Sequence, residues 1–97
     1  MRILETIPAQ PGWRCAFAVE GPDPLRLVPV AAWAVVEGVP GAGGPEVCPM
    51  LEHAEPGRLP ELRPVVHGLP THCPPGYLGL VAPTEPLEPW RARAAGS

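Results

Sequence analysis

Apolar and polar side chains alternate most clearly between Trp13 and Glu20. Trp13, Cys15, Phe17 and Val19 fall on one side, and Arg14, Ala16, Ala18 and Glu20 on the other. A period of two marks a half-buried strand, so a strand is predicted over 13–20. The turn formers Gly21-Pro22-Asp23-Pro24 follow, and then the longest apolar run in the chain, Leu25 to Gly38. The two segments are expected to pair as an antiparallel hairpin, with 13–20 against 25–36. Pro29 interrupts the long run, and without an N–H it cannot donate to a ladder in mid-strand. A bulge or bend is expected there, splitting 25–28 from 30–37. Past the bend, Ala31, Trp33 and Val35 lie on one face and Ala32, Ala34 and Val36 on the other. A strand apolar on both faces belongs in the interior, and one bent in this way can serve two sheets.

The remaining segments read as shorter pieces around this one. Residues 2–7 alternate weakly, as an edge strand does, and Pro8-Ala9-Gln10-Pro11-Gly12 is a turn whose Pro-Gly suits type II geometry. Residues 46–51 read as a fourth strand, in which Pro49 demands an edge position or a bulge. A single helical turn is expected near Pro60-Glu61-Leu62, a fifth strand over 63–67 and a sixth over 77–82. Loops rich in Gly and Pro occupy 38–45 and 68–76. From Pro83 the composition shifts to a tail. There Glu88 to Gly96 can form a short helix, with Pro89 at its first position and Gly96 as its stop. Two turns are marginal alone in water, so Trp90 must dock on something to order them. The expected organisation is a small β domain over 1–82 and a flexible or docked tail over 83–97. The fold class is mainly β: one antiparallel barrel or rolled sheet of SH3-like size, with long Pro/Gly loops.

Composition narrows the picture. The 17 prolines among 97 residues exclude long uninterrupted helices. Proline and glycine together, 17 + 11 = 28 residues, reach the level at which disorder competes with folding. The clear apolar runs and the low charge oppose it. Seven arginines against ten carboxylates leave a net charge of −3 with the arginines scattered, so nucleic acid, which needs clustered cations, is not an expected partner. The run from 25 to 36 is too short for a membrane span and is interrupted by Arg26 and Pro29. Three cysteines, and a glutamate at position 5 where a signal peptide would be apolar, point to a reduced, cytoplasmic protein.

Candidate chemistry is sparse. Cys48, His53, His67, His72 and Cys73 are residue types that zinc prefers, and they form the alternative reading of a zinc- or thiol-dependent site. Their spacing lacks a tight paired knuckle, and the adjacent His72-Cys73 would point apart in an extended chain. The only serine is Ser97 and the only aspartate is Asp23, in a turn between prolines, so a Ser-His-Asp site is excluded. A Cys-His pair drawn from Cys15 or Cys73 is conceivable. Gly41-Ala42-Gly43-Gly44 is no phosphate loop, because the chain has no lysine and position 46 is Glu46. Glu52 and Glu55 sit in a polar stretch as solvated charges. No cofactor or metal is expected. Trp13 and Trp33 are expected in the core. Trp90 has two open readings: a partner-binding residue together with Arg91 and Arg93, since Trp and Arg are enriched at interface hot spots, or a plug over an open end of the barrel.

The segments Pro8-Ala9-Gln10-Pro11-Gly12-Trp13 and Pro29-Val30-Ala31-Ala32-Trp33 resemble a group of short bacterial and phage accessory proteins. Those proteins carry an "AQPGW" turn near the start and a later "P-(I/V)-x-A-W" strand. The resemblance covers residues 5–36. It implies a small β domain in an accessory or mobile-element setting, and it carries over no catalytic residue. The function expected is therefore a non-enzymatic protein-protein interaction module. Its partner-binding residues are expected to be Trp90, Arg91, Arg93 and Tyr77, with strand-edge pairing as a route to a homodimer.

Overall fold

The structure, a computed structural model, describes residues 1–96. Seven strands and one helix follow in order: β1 (Arg2–Pro8), β2 (Arg14–Ala18), β3 (Leu25–Pro29), β4 (Ala32–Glu37), β5 (Glu46–His53), β6 (Glu61–Pro64), β7 (Tyr77–Val81) and α1 (Glu88–Ala95). A single 3-10 turn lies at Pro70–His72. The strands form an antiparallel four-stranded sheet, β1-β4-β5-β6, and an antiparallel three-stranded sheet, β3-β2-β7. Together they curl into a half-barrel, as the mainly β expectation required.

The bend at Pro29 makes this possible. Past Pro29, the Val30 N–H still bonds the Trp13 carbonyl of the three-stranded sheet at 2.9 Å, while the Ala31 N–H bonds the Met50 carbonyl of the four-stranded sheet at 2.9 Å. One continuous segment therefore leaves one sheet and enters the other within two residues. The predicted hairpin holds only for its first half: β2 pairs with β3, from Arg14↔Pro29 to Ala18↔Leu25. The second half, β4, turns away and is flanked by β1 and β5.

Two further expectations are corrected. Residues 61–64 form a strand rather than a helical turn, because they zip onto β5 from His53↔Glu61 to Met50↔Pro64. The fifth strand thus starts earlier than predicted, and Val65 and Val66 leave the sheet to pack into the core as a loop. Pro49 sits in an interior strand without a bulge at its position, paired with Trp33. Its carbonyl accepts the Val65 N–H at 2.8 Å. A strand residue directs its N and its C=O to the same side, so the missing donor of Pro49 faces the place where β6 has already ended. The β4 ladder is untouched, and only the reciprocal bond from Pro49 to the Val65 carbonyl is missing.

Three apolar layers result. Between the sheets lie Cys15, Phe17, Val30, Leu51 and Val65, with Trp13 and Trp33 packed against them, edge to face at 5.5 Å between ring centroids. The outer face of the four-stranded sheet buries Ala32, Ala34, Val36, Cys48 and Met50 under Val39 and Val66 of the loops. The outer face of the three-stranded sheet buries Ala16, Leu25 and Val81 under Trp90 and Ala94 of α1. Segment 83–96 thus docks on the sheet. Among the described residues, no helix is long and apolar enough to cross a membrane.

Candidate functional site

Where the two sheets diverge they leave an open groove of about 560 Å³, within the range of roughly 300–1,000 Å³ common for binding sites. One wall is Phe17, Val19, Arg26 and Val28. The other is Leu51, His53, Arg63, Pro64 and Val65, and the loop at 70–75, with His72 and Cys73, also lines it. Strand alternation accounts for the walls. Cys15 and Phe17 of β2 share a face with Arg26 and Val28 of β3, because Phe17↔Arg26 and Cys15↔Val28 are register partners. Leu51 and His53 of β5 likewise share a face with Arg63 and Glu61. Glu52 also borders the groove, but alternation directs its side chain to the opposite face of the sheet.

The charged side chains of the walls are not equally available. The Arg63 Nε–H donates to Glu61 at 2.7 Å, and His53 pairs with Glu55 at 3.0 Å. The His53 contact holds the Glu55 carboxyl below its usual value. Arg26 has neither a hydrogen-bond nor an ion-pair partner among the described residues, and its side chain is exposed at the groove.

The thiol and imidazole groups singled out from the sequence separate into three environments. His53, His72 and Cys73 border the groove, Cys48 is buried on the far side of the four-stranded sheet, and His67 is exposed. Among the described residues, no three His, Cys, Asp or Glu side chains lie close enough to share a metal ion. All three cysteines are free. Burial pushes the Cys15 thiol up to about 11, against a hydrogen bond from the Tyr77 hydroxyl that lowers it. Burial and the nearby Glu46 carboxylate push Cys48 up as well. At neutral pH both are protonated and enclosed, and the thiolate is the nucleophile. Brief iodoacetamide treatment of the folded protein at pH 7.5 is therefore expected to label Cys73 first, with Cys15 and Cys48 labelled only after denaturation. Peptide mass mapping would read this directly, and early labelling of Cys15 would contradict its burial.

Cys15 also sets a pH dependence. From about 9, its ordinary value, to about 11 the native chain holds a proton that the unfolded chain has released. The unfolded state binds fewer protons, so stability is full below pH 9 and falls as pH rises through this window, by at most about 1.4 kcal/mol per pH unit. Tyr77, whose hydroxyl is raised by burial and by Cys15, acts in the same direction. Urea midpoints at pH 7.5, 9 and 10.5 should decline in that order, and Cys15→Ala should flatten part of the decline.

The side chains expected from the sequence to contact a partner each have contacts within the chain, and Arg91 and Arg93 remain exposed. Trp90 is buried, with its Nε1–H donating to Glu85 at 2.6 Å and its ring over Gly79. The Arg93 guanidinium lies 4.6 Å from the Trp90 ring centroid and donates to the Leu78 carbonyl at 2.9 Å. Arg91 pairs with Asp23 at 3.2 Å. Tyr77 packs half-buried on Phe17 at 5.5 Å between ring centroids. The groove residues Val19, Arg26 and Val28 were not singled out from the sequence. The available signal was Arg26, a charge set into an apolar run opposite the best-alternating strand.

Among the described residues β1 is bonded only to β4, and its other edge is unpaired. Ile3, Leu4 and Ile7 on it are 43, 45 and 40% exposed. No family model matches the chain, and no similar curated protein or solved structure is found for it either.

Proposed function

We propose that this chain is a non-enzymatic protein-interaction module of accessory type, working in a reducing, cytoplasmic setting, and that it holds part of a partner protein in the groove between its two sheets. The observation behind this reading is the groove itself, an open site with an apolar floor and an unpaired arginine on its wall. The free thiols fit a reducing compartment.

The test uses Val19→Trp. Val19 is 38% exposed at the groove wall, so an indole there fills the groove without entering the core. Capture from lysates of the producing cells with wild-type and Val19→Trp protein, followed by binding measurements on the purified partner, should show at least a tenfold loss for the variant. Equal binding by both would reject the groove. The unpaired edge of β1 supports a homodimer as a second arrangement. Sedimentation velocity would detect it, and Leu4→Lys on that edge should abolish it.

A further inference from the structure

The strand edges bordering the groove are closed to an added strand. In β3 the Val19 N–H bonds the Pro24 carbonyl at 2.8 Å, which sets the phase of the ladder. Arg26 and Val28 therefore bond β2, and Leu25, Leu27 and Pro29 face outward. The outward Leu25 N–H is already taken by the Asp23 carboxylate at 3.3 Å, and Pro29 has none. Only Leu27 is left. In β6 the bond from Val65 to Pro49 sets the phase in the same way, turning Leu62 and Pro64 outward, and Pro64 has no N–H. Strand addition draws its affinity from a row of main-chain hydrogen bonds. Each of these edges offers a single donor.

What the groove does offer is side-chain chemistry. Its floor and walls are Phe17, Val28, Leu51 and Val65, and the cation Arg26 is unneutralised while Arg63 and His53 are held by Glu61 and Glu55. On its wall Arg26 is a positive charge without a partner among the described residues, in a chain of net charge −3. We infer that the occupant is a segment of a partner protein that presents a carboxylate beside a bulky apolar side chain. The carboxylate is received by Arg26 and the apolar group by the groove floor, with recognition through side chains instead of strand pairing. This rests on the groove reading proposed above. An arginine left exposed beside apolar surface suits a carboxylate, because the guanidinium fork matches its geometry in a charge-assisted pair.

The experiment selects phage-displayed random dodecapeptides on the full-length chain and measures synthetic versions of the winners by fluorescence anisotropy. Selected peptides should carry Asp or Glu next to Leu, Ile, Phe or Trp. Arg26→Glu should weaken them at least tenfold, and a peptide with Lys in place of its acid should recover binding to Arg26→Glu. A merely structural role of Arg26 would give no such recovery. Peptides blocked by Val19→Trp but lacking a carboxylate, or indifferent to Arg26→Glu, would overturn the inference and leave the groove standing. Sensitivity to N-methylation at alternate peptide positions would also overturn it, since that is the mark of an added strand. No enriched peptide, peptides that bind Val19→Trp equally well, or binding of decanoate where no peptide binds would overturn both readings.

Discussion

Trp90→Ala is expected to cost about 3–5 kcal/mol of folding stability, the usual range for removing a buried tryptophan. Small domains have about 5–15 kcal/mol in total, so the variant should sit near the limit of folding. The indole is 8% exposed and packs with Ala16, Leu25, Val81 and Ala94 over the outer face of the three-stranded sheet. Its N–H is held by Glu85, whose other carboxylate oxygen accepts the Ala82 N–H at 3.2 Å. Losing the ring leaves a cavity over Gly79 and strands the Glu85 carboxylate without its donor. A helix of eight residues has too few turns to persist without this anchor, so α1 should melt and expose Ala16 and Leu25. Urea denaturation followed by far-UV circular dichroism would measure the loss. A change below about 0.5 kcal/mol, the scale of an ordinary surface substitution, would mean that the helix does not dock. Removing residues 84–97 should cost at least as much, because Trp90 and Ala94 go together.

Gly76→Ala is the second large expected effect, at about 2–5 kcal/mol. Gly76 has φ +81°, and a Cβ built there overlaps the Ala18 carbonyl oxygen. The left-handed conformation alone costs a residue with a Cβ about 1–2 kcal/mol, and forcing an atom into occupied space adds about 1–3 kcal/mol. The backbone cannot simply relax away, because the Gly76 carbonyl accepts the Ala18 N–H at 2.8 Å as the loop enters β7. Thermal unfolding should show a fall of several degrees per kcal/mol, about 4–8 °C for a domain of this size. A melting temperature unchanged from wild type would mean that the Ala18–Gly76 contact is absent in solution.

The groove was only partly legible beforehand. His53, His72 and Cys73, grouped for their zinc affinity, border it. Cys48 belongs to another layer and His67 to the surface, because spacing along the chain says little about which strand faces which. The tail shows the same limit. Trp90, Arg91 and Arg93 looked available as a cluster of hot-spot types. Only the packing of α1 on β2, β3 and β7 shows that Gly79 makes room for the indole and that Asp23 and the Leu78 carbonyl engage the arginines.

Local sequence is enough for the mainly β class, a strand within 13–20, the bend at Pro29 and the short terminal helix. Each follows from local rules: a side-chain period of two, a residue without a donor, and a proline start with a glycine stop. The folded chain adds that β4 lies between β1 and β5, that residues 61–64 are a strand, that Pro49 is tolerated in an interior strand and that Arg26 faces a groove. Those outcomes depend on contacts between residues far apart in the chain. A strand's partners are set by which other segments can complete its ladder, and no single segment carries that information.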